Sequence, residues 1–149
     1  MRVVIQRVSK ATVTIENNVK AAIDQGLLVL AGFENKDTEE DLVWMCNKLV
    51  NLRIFNDTEG KMNLSVLDLK GSILLISQFT LFAATKKGNR PSFIQSAKPE
   101  IAIPLYEKMI QLLATKVPTQ TGEFGADMKI DLLNDGPVTI CIDSKKKVS

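Results

Sequence analysis

Two uninterrupted apolar runs constrain this chain most: Leu27-Leu28-Val29-Leu30-Ala31 after Gly26, and Ile73-Leu74-Leu75-Ile76 after Gly71. Short apolar runs bounded by turn formers are the pattern of strands covered on both faces. The second run ends on Ser77, Gln78, Phe79 and Thr80, ahead of a loop rich in Lys, Gly, Asn, Arg and Pro. Three hydrogen-bonding side chains thus stand where a core strand emerges, and buried polar groups are costly unless satisfied. They could simply satisfy strand-end backbone. A second polar strand end, Leu132-Leu133-Asn134-Asp135-Gly136-Pro137-Val138-Thr139, turns the reading toward a site.

Histidine is absent from all 149 residues. Ser-His-Asp and Cys-His chemistry is therefore excluded, and two isolated cysteines, Cys46 and Cys141, make no zinc site. Any chemistry must use hydroxyls, carboxylates, lysines, backbone dipoles or the substrate itself. A net charge of +2 is too small for a general nucleic-acid binder. Basic residues cluster locally at Lys86, Lys87 and Arg90, directly after the polar strand end, and at residues 145–147, which read as a solvated tail. The length suits one domain, residues 1–149, with its own core. No apolar run approaches the roughly 20 residues of a membrane span. The first residues alternate like a strand and lack a signal peptide's apolar region, so a cytoplasmic location is expected.

Alternation predicts strands over residues 2–8, at an edge or half-buried, and over 11–15, a tight turn at Asn17-Asn18, and a return strand over 19–23. Asp37 or Thr38 offers a helix N-cap, with Glu40 placed as in a capping box after Asp37. Leu42, Met45, Cys46, Leu49 and Val50 then give helical spacing over about 38–51. A second helix should begin at Pro99 or Pro104 and run to about Ala114. Short strands are expected over 53–55 and 117–121, and two more over 128–133 and 138–142. The sum is an α+β fold: one curled, barrel-like β-sheet with two outer helices.

The motifs Ser77-Gln78-Phe79-Thr80 and Asn134-Asp135-Gly136-Pro137-Val138-Thr139 resemble those of the D-aminoacyl-tRNA deacylase (D-tyrosyl-tRNA deacylase) family. The likeness spans essentially the whole chain and includes Gln6-Arg7-Val8, Gly60-Lys61-Met62-Asn63, Arg90-Pro91-Ser92-Phe93 and the loop from Gly122 to Met128. One departure is Phe82-Ala83-Ala84, where the family more often has Tyr-Ala-Asp. The resemblance implies a cofactor-free, metal-free homodimer that hydrolyses the ester joining a D-amino acid to the terminal adenosine of tRNA. It also implies active sites at the subunit interface, each receiving a cis Gly136-Pro137 peptide from the partner. Proline lowers the trans preference to about 0.5–1 kcal/mol, against about 2.5–4 kcal/mol elsewhere. With ammonium and ester anchored, an L side chain would point into that main chain and a D side chain outward.

Two mechanisms fit. Thr80 could attack the ester, though no base adjoins it in sequence. Alternatively the ribose 2′-hydroxyl helps activate water, while backbone N–H groups of Phe79 and Thr80 form an oxyanion hole. The lack of histidine favours the second, with Thr80 orienting and Ser77 and Gln78 fixing the strand end. Phe124 and Met128 are expected to flank the terminal adenine. Arg7 is expected to hold the Gly-Pro segment, and Lys86, Lys87 and Arg90 to meet acceptor-stem phosphates. Each of these residues also suits plain core packing or surface charge. Two other functions remain open: a non-catalytic module binding tRNA ends, and an editing domain acting on an L-aminoacyl-tRNA.

Overall fold

The computed structural model describes residues 1–147. In chain order the elements are β1 (Arg2–Ile15), β2 (Asn18–Ile23), β3 (Gly26–Gly32), α1 (Glu39–Asn51), β4 (Phe55–Asn56), β5 (Met62–Leu64), β6 (Ser72–Ser77), a 3-10 turn (Phe79–Leu81), α2 (Pro99–Ala114), β7 (Thr119–Thr121) and β8 (Lys129–Asp143). The two apolar runs are β3 and β6, and they pair in parallel from Gly26↔Ser72 to Ala31↔Ser77. The sheet runs β2-β1-β3-β6-β7, with β8 along the other side of β1 and β4-β5 a separate small pair.

Both faces of β3 and β6 are covered, as their unbroken apolarity requires. Leu27, Val29, Ile73 and Leu75 meet α1 and α2 through Leu42, Met45, Leu49, Met109 and Leu113. Leu28, Leu74 and Ile76 face the other way, toward Val8, Val13, Ala21 and Ile23 on the curled part of the sheet. The result is a nearly closed curled sheet with two helices outside it. Within the helix-side core, burial pushes the Cys46 thiol up to about 12, only partly offset by the charge of Lys116.

The structure corrects several local expectations. Residues 2–8 and 11–15 form one 14-residue strand rather than two. It lies inside the sheet, bonded to β3 then β2 on one side and to β8 on the other. The alternation falters at Val8 because the register with β8 shifts there, bending the strand without ending it. Likewise β8 is one strand of 15 residues, not two flanking a loop. The first hairpin turns on Glu16 and Asn17, whose φ values are 49° and 65°, one residue earlier than expected. Thr38, not Asp37, caps α1, and its N–H donates to Asp41 Oδ2 (2.9 Å). Asp37 is taken by other donors: the Met1 ammonium (2.5 Å) and the Glu34 N–H (2.8 Å). The basic tail is not merely solvated, because Lys145 Nζ donates to Asp41 Oδ2 at 2.8 Å and Lys147 lies 4.6 Å from the Trp44 ring centre.

Candidate active site

β6 delivers the first motif. Its pairing with β3 continues past Ser77, since the Gln78 N–H donates to the Ala31 carbonyl (2.7 Å). The chain then breaks from the sheet into the 3-10 turn carrying Phe79 and Thr80. As the opening residues of a helical turn, these two have N–H groups with no helical carbonyl behind them to accept. The turn lies tightly on β3: a Cβ on Gly32 would stand 2.8 Å from the Gln78 carbonyl and 3.2 Å from Leu81 Cβ. Arg2 holds it from the far side, donating to the Leu81 carbonyl (3.0 Å) and to Asp143 (3.1 Å), with its guanidinium 4.5 Å from the centre of the buried Phe82 ring.

Gln78 Nε2 donates to Thr80 Oγ at 2.5 Å. That fixes the Thr80 hydroxyl and occupies a lone pair on its oxygen, leaving its own proton free to donate. Ser77, Gln78 and Phe79 form one wall of a cleft of about 280 Å³, and Phe124, Asp127 and Met128 lie across from them. Phe124 is set by Tyr106 of α2, whose ring centre is 5.9 Å away. Tyr106 is anchored in turn by donating to the Leu75 carbonyl (3.0 Å), and burial pushes its phenol up to about 12. Gly122 leaves room for Met128, because a Cβ there would collide with the Met128 sulfur.

The second motif lies elsewhere in the chain. On β1, Gln6 pairs Thr139 and Val8 pairs Asn134, so the four residues 135–138 bulge opposite the single residue Arg7. Arg7, 7% exposed, donates through Nε to the Asp135 carbonyl and through Nη1 to the Ile54 carbonyl, both at 2.7 Å. Asn134 ties the base of the bulge: its Oδ1 accepts from the Val138 N–H (2.8 Å) and its Nδ2 donates to Thr139 Oγ (3.1 Å). At the exposed tip the Gly136–Pro137 bond is cis. Gly136 has φ +148°, and a Cβ on it would meet Val138 at 2.7 Å. None of residues 134–139 lines the cleft. Through β3, Arg7 is level with Ile73 and Val3 with Ser77. The tip, on β8, therefore lies four residues along the strands and three strands across from the Ser77 end of β6, roughly 13 Å of strand rise and about 14 Å of strand spacing.

Lys86, Lys87 and Arg90 occupy an exposed loop closed by reciprocal Ala84–Ser92 backbone bonds (2.8 and 2.9 Å). None of the three forms an ion pair among the described residues. Sequence reasoning passed over Arg2 and Tyr106. An arginine in an alternating strand and a tyrosine on an apolar helix stripe look like ordinary surface and core residues until their partners are known.

The family described as D-Tyr-tRNA(Tyr) deacylase matches residues 4–143. A Bacteroides fragilis protein named D-aminoacyl-tRNA deacylase is 61% identical over 149 residues, covering 99% of each chain. A Flavobacterium psychrophilum protein of the same name is 58% identical over the same share of both. Among solved structures, the c-Myc DNA unwinding element binding protein superposes with a TM-score of 0.91 at 40% identity, covering 96% of this chain and 98% of its own. A structure titled as a probable eukaryotic D-amino acid tRNA deacylase shares the fold, with a TM-score of 0.81 at 18% identity over 95% of this chain and 97% of that one. Full-length likeness in sequence and fold thus places the chain among the aminoacyl-tRNA deacylases. More narrowly, it belongs to the D-Tyr-tRNA(Tyr) deacylase family.

Proposed function

We propose that this chain hydrolyses the ester of D-aminoacyl-tRNA, releasing D-amino acid and tRNA, at a site completed by a second copy of itself. The observation that carries the reading is the separation of its two motifs. Ser77, Gln78 and Phe79 open into a cleft, with Thr80 held beside it by Gln78, while the exposed Gly136–Pro137 tip lies four residues along the strands and three strands across. Two copies facing each other can join cleft to tip, which one copy cannot do.

In this account the terminal adenosine lies between Phe124 and Met128, and the ester carbonyl points at the Phe79 and Thr80 N–H groups. The Thr80 hydroxyl, held by Gln78, donates to the substrate rather than attacking it. Its oxygen already accepts a hydrogen bond, and no histidine is present to take its proton. The 2′-hydroxyl of the terminal ribose orients the attacking water. The partner's Gly136–Pro137 main chain stands where an L side chain would project. Lys86, Lys87 and Arg90 meet acceptor-stem phosphates.

Thr80→Ala is the direct test of this division of labour. Loss of one such donor typically costs two to three orders of magnitude in kcat, so the variant should be slow yet measurable. Complete loss of turnover with unchanged tRNA binding would make Thr80 the nucleophile instead.

A further inference from the structure

Phe79 both lines the cleft and leaves it. The residue is 56% exposed, and its ring meets Phe93 edge-on, with centroids 5.2 Å apart and an interplanar angle of 79°. Scattered surface apolar residues are ordinary, but this pair stands where the cleft wall meets solvent. The loop that returns to Phe93 carries Lys86, Lys87 and Arg90.

The geometry points to a second nucleotide subsite: a shelf of Phe79 and Phe93 that stacks the unpaired bases immediately 5′ of the terminal adenosine. The ligand that fits a flat apolar face bordered by cations is an unpaired nucleotide, with its base on the ring and its phosphate toward the loop. An edge-on aromatic pair leaves the face of one ring open, so a base can stack without displacing Phe93. Because Phe79 belongs to cleft and shelf alike, a strand leaving the adenosine position crosses the shelf before reaching the basic loop. The inference rests on the deacylase reading for the adenosine position.

The test compares two substrates, D-tyrosyl-tRNA and D-tyrosyl-adenosine, the second of which lacks those bases. Phe93→Ala and Phe93→Leu, which both remove the ring, should each raise KM about tenfold for the tRNA, within the usual worth of one stacked base. On D-tyrosyl-adenosine, kcat/KM should hold within about twofold of wild type. Alongside, an uncharged RNA hairpin ending in its unpaired 3′ tail is titrated against the same hairpin lacking that tail. Wild type should prefer the tailed hairpin, and the variants should lose that preference. An equal loss on both substrates overturns the proposal, since the residues would then act through the Phe79 backbone. So does no loss on either. Dissociation of a wild-type dimer by either variant overturns it too, making the shelf a contact between copies. If wild type cleaves neither ester, the deacylase reading fails, and the hairpin comparison alone decides the shelf.

Discussion

Arg7 offers the sharpest handle on how the tip is held and where it acts. It is almost fully buried, and its two 2.7 Å bonds go to main-chain carbonyls of Asp135 and Ile54. The nearest carboxylate, on Asp135, is 4.0 Å away. A hydrogen bond from a charged donor is worth about 1.5–3 kcal/mol. Arg7→Met removes both, about 3–6 kcal/mol, which rivals the 5–15 kcal/mol stability of a whole domain. Arg7→Lys keeps the charge but cannot span both carbonyls, so it should lower unfolding free energy by about 1.5–3 kcal/mol in a urea titration. The tip then loosens, and D-tyrosyl-tRNA cleavage should fall more than stability alone would require. The informative step is to mix Arg7→Lys with Thr80→Ala and let subunits exchange. A heterodimer holds one site with an intact Thr80 facing an intact tip. Random assortment should therefore return about a quarter of wild-type activity from two impaired proteins. Activity no higher than the average of the two parents would refute a tip that works across the interface.

Other consequences can be checked together. Burial works against the charge on Asp41, but hydrogen bonds from Lys145 and the Thr38 N–H hold it well below the usual carboxylate range. A depressed native value stabilises fully above the unfolded value near 4 and is lost as pH falls below it. The acid limb of a stability–pH curve should therefore be shallower in Asp41→Asn than in wild type. Replacing Lys86, Lys87 and Arg90 together by Ala should weaken tRNA binding and flatten its salt dependence, without altering the preference between D and L esters.

Much of this was legible in the order of residues because the chain's strongest signals are local. The unbroken runs in β3 and β6 announce burial on both faces, and Met45, Cys46 and Leu49 announce a helix face. What escaped depends on partners distant in sequence. Whether β1 ends or bends at Val8 is decided by the extra residues in β8 opposite Arg7. Whether Asp37 caps α1 is decided by the Met1 ammonium. In sequence both motifs look like polar strand ends, yet the second is a bulge inside β8, and the positions of the two on the sheet follow from registers that no local pattern encodes. Arg2 and Tyr106 were hidden for the same reason: the partners of Arg2 (Leu81, Phe82 and Asp143) and of Tyr106 (Leu75 and Phe124) are distant in sequence.

Chirality-selective ester hydrolysis is decided by deacylation of D-tyrosyl-tRNA and L-tyrosyl-tRNA with one preparation of the wild-type protein. The D ester should be lost rapidly, and the L ester should decay no faster than its spontaneous rate. A thousandfold gap corresponds to about 4 kcal/mol, within reach of a rigid steric filter. Equal cleavage of both esters would contradict the filter, and cleavage of neither, with tRNA still bound, would contradict the enzyme.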